Sequence, residues 1–212
     1  MSKDIYLVVH GEAQHHVEGL VGGWYDSDLT EQGHRQAQAI AGRLAERLAG
    51  APSVEVYASD LRRTAQTAAP IAQALGVEAV HWPDLRERSY GEAGGKPDAW
   101  LEARTVAAPK DGNRLDHRDG LVEAETKRQF ATRIYRAMDA IAASPCPVQV
   151  VVTHGYAVTF AIAAWIRMPL ESVGWVNFRS SSGAISHLRE DDRWFNRYLM
   201  SLSDTDHLAG VG

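Results

Sequence analysis

Short apolar runs alternate along this chain with longer segments of helical period, the arrangement of an α/β domain with a largely parallel sheet. Ile5 to Val9 is a near-continuous apolar run, as a strand buried on both faces requires. From Thr30 to Leu48 the pattern is helical: Ala37, Ile40, Ala41, Leu44 and Leu48 recur on one face and Gly50 is the stop signal. Val54 to Ala58 predicts a second strand. Ser59 or Asp60 then caps a helix through Leu75, Gly76 ends it, and Val77 to His81 predicts a third strand. Gly94 to Leu121 is rich in Gly, Pro, Asp and Asn, with a weak helical signal near Ala99 to Val106; it reads as a lid-like excursion over one end of the sheet. Helix returns from Glu123 to Ala143, Val148 to Val152 is the strongest strand signal, and Gly155 to Ile166 is an apolar helix. Gly183 to Leu188 and Trp194 to Met200 close the chain as a hairpin around Asp191 and Asp192. With no repeat, low-complexity tract or linker, residues 1–212 are expected to form one domain, a three-layer αβα sandwich around a mostly parallel sheet.

Composition narrows the function. The chain has 212 residues, 45% hydrophobic and 23% charged, which supplies a sizeable core. Twenty-two Lys and Arg face 27 Asp and Glu, a formal net charge of -5 that argues against nucleic-acid or polybasic membrane binding. Cys146 is the sole cysteine, which excludes an intrachain disulfide or a multi-Cys metal site. The opening apolar stretch is too short for a signal peptide or a membrane span, so the expected location is the cytoplasm. A homodimer is left open as a partner.

Open parallel sheets bind ligands beyond the carboxyl ends of their strands. That rule nominates Val9-His10-Gly11-Glu12, Ser59-Asp60-Leu61-Arg62-Arg63, Leu85-Arg86-Glu87-Arg88 and Thr153-His154-Gly155. An imidazole can attack phosphorus, a guanidinium offers a fork to phosphate oxygens, and a carboxylic acid can protonate a leaving alkoxide. A helix beginning near Asp60 would add backbone N–H groups aimed at the same anion. No cofactor or metal is called for.

The same residues resemble the histidine phosphatase superfamily, which includes the cofactor-dependent phosphoglycerate mutases. The resemblance runs through VHGEAQHHVEGLVGGWYDSDLTEQGHRQA (9–37), SDLRRTAQTA (59–68), LRERSYGE (85–92) and VVTHGYAV (151–158), with a weaker block, AETKRQFATR (124–133). The blocks occur in the family's order and imply its phosphoglycerate mutase-like sandwich. Carried over, the resemblance implies that His10 is the phosphorylated nucleophile, Arg63 grips phosphate, His154 is the second pocket histidine, and Glu87 is the proton donor and later the base for water. Gly11, His16, Arg62, Tyr90 and Gly155 complete the expected set as substrate-binding residues.

Three positions depart from the family pattern. Val9 stands where the family has an arginine on the transferred phosphoryl group, His16 where an asparagine is common, and Leu20 where many members carry another arginine. A protonated His16 is one way to restore the missing charge. Other readings compete at single positions. Arg62 and Arg63 cannot both face the pocket, since helical neighbours point about 100° apart, and the family spacing favours Arg63. Glu92 is the substitute for Glu87. Trp24 and Tyr25 read as core. His15, His34, His81, His117, His187 and His207 read as structural or solvated, with His15 the least settled. His10, Glu12, His15 and His16 match no tetrahedral metal spacing.

The expected function is hydrolysis of a small phosphorylated metabolite through phospho-His10. Val9 keeps two alternatives open: a degenerate member that binds a phosphorylated ligand or protein without efficient turnover, and a pocket turned to other chemistry. Mutase activity is the minor option. In the Gly94 to Leu121 excursion Arg114 and Arg118 are candidates for a carboxylate-binding pair, but they lack the mutase context.

Overall fold

In the computed structural model, which describes residues 2–211, Lys3–Val9 forms strand β1, buried from Asp4 onward. Next come the short helix α1 (Gln14–Val17), helix α2 (Glu31–Leu48), strand β2 (Val54–Ala58), helix α3 (Arg62–Leu75) and strand β3 (Ala79–His81). The second half holds α4 (Asp98–Glu102), α5 (Lys127–Ala143), β4 (Val148–Thr153), α6 (Ala157–Trp165), β5 (Ile185–Glu190) and β6 (Arg197–Asp204). The six strands make one mixed sheet in the order β3-β2-β4-β1-β5-β6. The pairs among β1, β2, β3 and β4 are parallel, while β5 runs antiparallel to both β1 and β6.

Alternation along the central strands divides the core in two. Ile5, Leu7, Val9 and Val151 face α5 and α6, packing on Phe130, Ile134, Met138 and Phe160. Tyr6, Val8, Val150 and Val152 face α2 and α3, packing on Ile40, Leu44, Ala68 and Ile71. This is the expected sandwich, with a helical layer on each face of the sheet. No helix among the described residues is long and apolar enough to cross a membrane.

Element ends move where local hydrogen bonds outcompete periodicity. Helix α5 starts at Lys127, not Glu123, because Thr126 and Gln129 form a reciprocal capping box. β3 loses Val77, whose N–H closes α3 on the carbonyl of Ala72 at 3.0 Å. β6 starts at Arg197, not Trp194, because the Asp191 carboxylate accepts the N–H groups of Arg193, Trp194 and Asn196 and holds them in the turn. The excursion is helical only over Asp98–Glu102, and the short α1 was not anticipated.

Candidate active site

Adjacent parallel strands bring the two strand-end histidines together. Val9 pairs with Thr153 in the β1–β4 register, and the next N–H, that of His10, donates to the Thr153 carbonyl at 3.1 Å. On the other side the His10 carbonyl accepts the N–H of Gly183 at 3.0 Å. The rings of His10 and His154 meet edge to face, 5.1 Å between centroids. Each residue is nearly sealed, His10 at 4% and His154 at 1% exposure.

Hydrogen bonding assigns the roles of the ring nitrogens. His10 Nδ1 lies 2.7 Å from the Gly11 carbonyl, which can only accept, so the ring proton of neutral His10 is on Nδ1. Nε2 then carries a lone pair, which accepts Arg63 Nε–H at 3.2 Å. Arg63, 1% exposed, also donates from Nη1 to the Tyr25 carbonyl (2.9 Å) and from Nη2 to the Gly23 carbonyl (2.7 Å). Three of its five N–H donors are thus engaged in fixing the guanidinium, leaving two for a ligand. Burial lowers its pKa to about 10, so it remains a cation at neutral pH.

Burial, with Arg63 close by, holds His10 and His154 well below the ordinary imidazole value. His154 Nε2 shares a 3.0 Å hydrogen bond with the Ser59 hydroxyl, while its buried Nδ1 has no partner. Glu87 moves the other way: burial raises its pKa, opposed by N–H donors from Arg88 (2.8 Å) and Tyr156 (3.0 Å). Arg133 anchors the loop that carries it. Its guanidinium donates to the carbonyls of Asp84, Arg86 and Glu87 and pairs with both carboxylate oxygens of Glu125 at 2.7 and 2.8 Å.

These groups open on a cavity of about 440 Å³. His10, Arg63, Glu87 and His154 all line it, as do His16, Tyr90 and Gly155 from the expected binding set. Arg62 does not. Its exposed side chain pairs outward with Asp28, since the helical turn that points Arg63 inward points its neighbour away. Gly11 does not line it either; it packs on α2, where an added Cβ would sit 2.5 Å from the Gly33 carbonyl oxygen. Most of the expected backbone donors at the start of α3 are taken: Arg62 N–H by Asp26, and those of Thr64 and Ala65 by the Leu61 carbonyl. Arg114 and Arg118 lie outside the cavity, bound to the carbonyls of Gly174, Pro109 and Ala124. Trp24 and Tyr25 are exposed rather than core: the Trp24 indole donates to the Glu87 carbonyl, and the Tyr25 carbonyl receives Arg63.

Val9 and Leu20 line the cavity as apolar wall. His16 stacks on His10 at 5.6 Å between centroids, and its Nδ1 accepts the N–H of Ala13 at 3.2 Å. Burial and Arg63 lower its pKa, which favours a neutral ring with its proton on Nε2 over the protonated His16 that was one way to restore the missing charge. His15 belongs to the site as well. It lines the cavity with Nδ1 bonded to Ser27 at 2.6 Å, and burial lowers its pKa to about 3. The His15-His16 doublet was the sequence signal for it. Asp98, Leu101, Ser180 and Ser182 also line it, and the buried Ser180 hydroxyl has no partner. No motif marked any of these four. Among the described residues, no group of three or more His, Cys, Asp or Glu is placed to hold a metal ion.

Comparison with known proteins agrees with this fold. Residues 5–199 match the model of the histidine phosphatase superfamily, branch 1. A metal-independent phosphoserine phosphatase of Arabidopsis thaliana is 35% identical over 99% of this chain and 84% of its own length. A probable phosphoglycerate mutase of Proteus mirabilis is 32% identical over 98% of this chain and 95% of its own. Among solved structures, a mycobacterial glucosyl-3-phosphoglycerate phosphatase superposes with a TM-score of 0.77 over 97% of this chain and all of that one, at 22% identity. With the family model spanning nearly the whole sequence, the chain belongs to branch 1 of the histidine phosphatase superfamily.

Proposed function

We propose that the protein is a phosphatase that hydrolyses a small phosphorylated metabolite through a phosphohistidine on His10, without a metal. The observation that carries this is the hydrogen bond from His10 Nδ1 to the Gly11 carbonyl, which leaves the Nε2 lone pair turned to Arg63. In the first step Nε2 gives up the Arg63 N–H, which turns to a phosphate oxygen, and bonds to phosphorus as the P–O ester bond breaks. The bonding pair goes to the leaving oxygen, which takes the proton of Glu87. In the second step Glu87, now a carboxylate, removes a proton from water; the water oxygen bonds to phosphorus, the P–N bond breaks, and phosphate leaves. A buried carboxyl with a raised pKa suits the acid role, and depressed imidazole pKa values keep His10 a neutral nucleophile. The free N–H groups of Arg63, the unpartnered Nδ1 of His154 and the Nε2–H of His16 are the candidate donors to phosphate oxygens. The similarity to a metal-independent phosphoserine phosphatase and a probable phosphoglycerate mutase supports the reaction class. Arg114 and Arg118, both away from the cavity, favour phosphatase over mutase.

Val9 favours a second reading, a phospholigand binder of weak turnover, because loss of one charge-stabilising donor costs roughly a hundred- to a thousandfold in rate. Both readings are tested by incubating chelator-treated protein with an aryl phosphate, measuring phosphate release, and trapping an acid-labile adduct on His10. Turnover and adduct that vanish in His10→Ala support the phosphatase. Phosphate binding with neither supports the binder.

A further inference from the structure

The mouth of the cavity carries a charge that phosphoryl transfer does not need. Asp98 is the exposed first residue of α4, and it lines the cavity beside Leu101 and Leu20. The backbone fixes it there: Gly95 N–H donates to the Val21 carbonyl (2.8 Å), Val21 N–H to that of Lys96 (2.8 Å), and Asp98 N–H to that of Gly19 (2.9 Å). Among the described residues its carboxylate makes no ion pair.

Charge balance gives this carboxylate a meaning. Arg63 is the only Lys or Arg among the lining residues, and the four lining histidines are held neutral. With Glu87 in its protonated acid form, a phosphomonoester brings about two negative charges and Asp98 adds a third, so one guanidinium leaves the pocket short of positive charge. A substrate with a carboxylate on its alcohol half would worsen that and meet no arginine. A substrate with its own cation would resolve it, since a carboxylate accepts hydrogen bonds from ammonium and is attracted to it.

We infer that Asp98 is a specificity-determining residue, selecting phosphomonoesters whose alcohol half carries an ammonium group and rejecting those that carry a carboxylate. The inference rests on the phosphatase reading for its reaction, but its selectivity can also be read by binding alone.

The test ranks phosphoethanolamine, glycerol phosphate and 3-phosphoglycerate by kcat/KM on the full chain, and by calorimetric affinity, for wild type, Asp98→Asn and Asp98→Lys. Wild type is expected to favour phosphoethanolamine over 3-phosphoglycerate by about tenfold or more, mostly in KM, with the margin shrinking at high salt. Asp98→Asn should compress that ratio, and Asp98→Lys should reverse it. A wild type that prefers 3-phosphoglycerate, or one ranking shared by all three proteins, overturns the inference and leaves Asp98 as an ordinary acidic residue in the first turn of a helix. Turnover of an aryl phosphate decides the phosphatase reading separately: without turnover, the affinity ranking and its reversal still decide this one.

Discussion

Arg63 Nε–H points at His10 Nε2 across 3.2 Å, so the cation of the site also orients the lone pair that must reach phosphorus. Lysine would keep the charge and lose the fork that bonds His10, Tyr25 and Gly23 together. Arg63→Lys is expected to lower kcat/KM on an aryl phosphate by about a hundredfold or more. Activity within a few-fold of wild type would show that charge alone suffices.

The two pKa displacements set the pH profile. Turnover needs His10 neutral and Glu87 protonated. Burial places His10 well below 6.5, so it stays neutral far to the acid side, while the carboxyl of Glu87 lies above its usual 4.5. Phosphoryl transfer to His10 should therefore weaken as pH rises through the Glu87 pKa, giving an acid-shifted optimum. Glu87→Gln should abolish that alkaline limb and slow alkyl phosphates more than aryl ones, whose leaving groups need less protonation. An unchanged limb in the variant would remove Glu87 from the acid role.

His16 tests how the cavity manages beside Val9. If its Nε2–H is a neutral donor to phosphate, His16→Asn should keep most activity, because the amide can also donate. His16→Phe keeps a ring without the donor and should lose about a hundredfold in kcat. Equal rates for the two variants would sink the idea.

Gly33 sits in the first turn of α2, where alanine would normally favour the helix by about 1 kcal/mol. Here an added Cβ would lie 2.0 Å from the Glu12 carbonyl oxygen, and that clash dominates. Gly33→Ala should destabilise by about 2–4 kcal/mol in denaturant. Gly42→Ala, in the same helix with open space around it, should be neutral or slightly stabilising.

Arg133 acts on Glu87 from behind. Lysine cannot reproduce its bonds to three carbonyls and to both oxygens of Glu125. Arg133→Lys should cost about 3 kcal/mol in stability, lower kcat more than it raises KM, and move the alkaline limb. A variant that is destabilised but keeps the wild-type pH profile would make Arg133 purely structural.

The chemistry at strand ends was legible because parallel strands fix it: two His-Gly units at the ends of apolar runs had to meet if those strands paired side by side. Arg63 over Arg62 was legible for the same kind of reason, since helical rotation allows only one inward neighbour. Arg133 was invisible because its role lies in carbonyls 46 to 49 positions away along the chain, which no local pattern encodes. Asp98 reaches the cavity from the first position of a five-residue helix, too short for a period to show, and Ser180 from a segment outside any helix or strand. The backbone donors expected at the start of α3 failed for a specific reason: Asp26, far off in sequence, was already bonded to one of them.

The His10 peptide is held on both sides, by Thr153 and by Gly183, as though β1 continued through it. Its amide should exchange with solvent deuterium only when the whole sheet opens, whereas the stretch around Asp98, tied to a neighbouring loop by a few backbone bonds, should exchange through smaller local openings. Reactivity and selectivity then reside in parts of the chain with separate opening energies, so the mouth can be redesigned for new substrates without loosening the atom that attacks them.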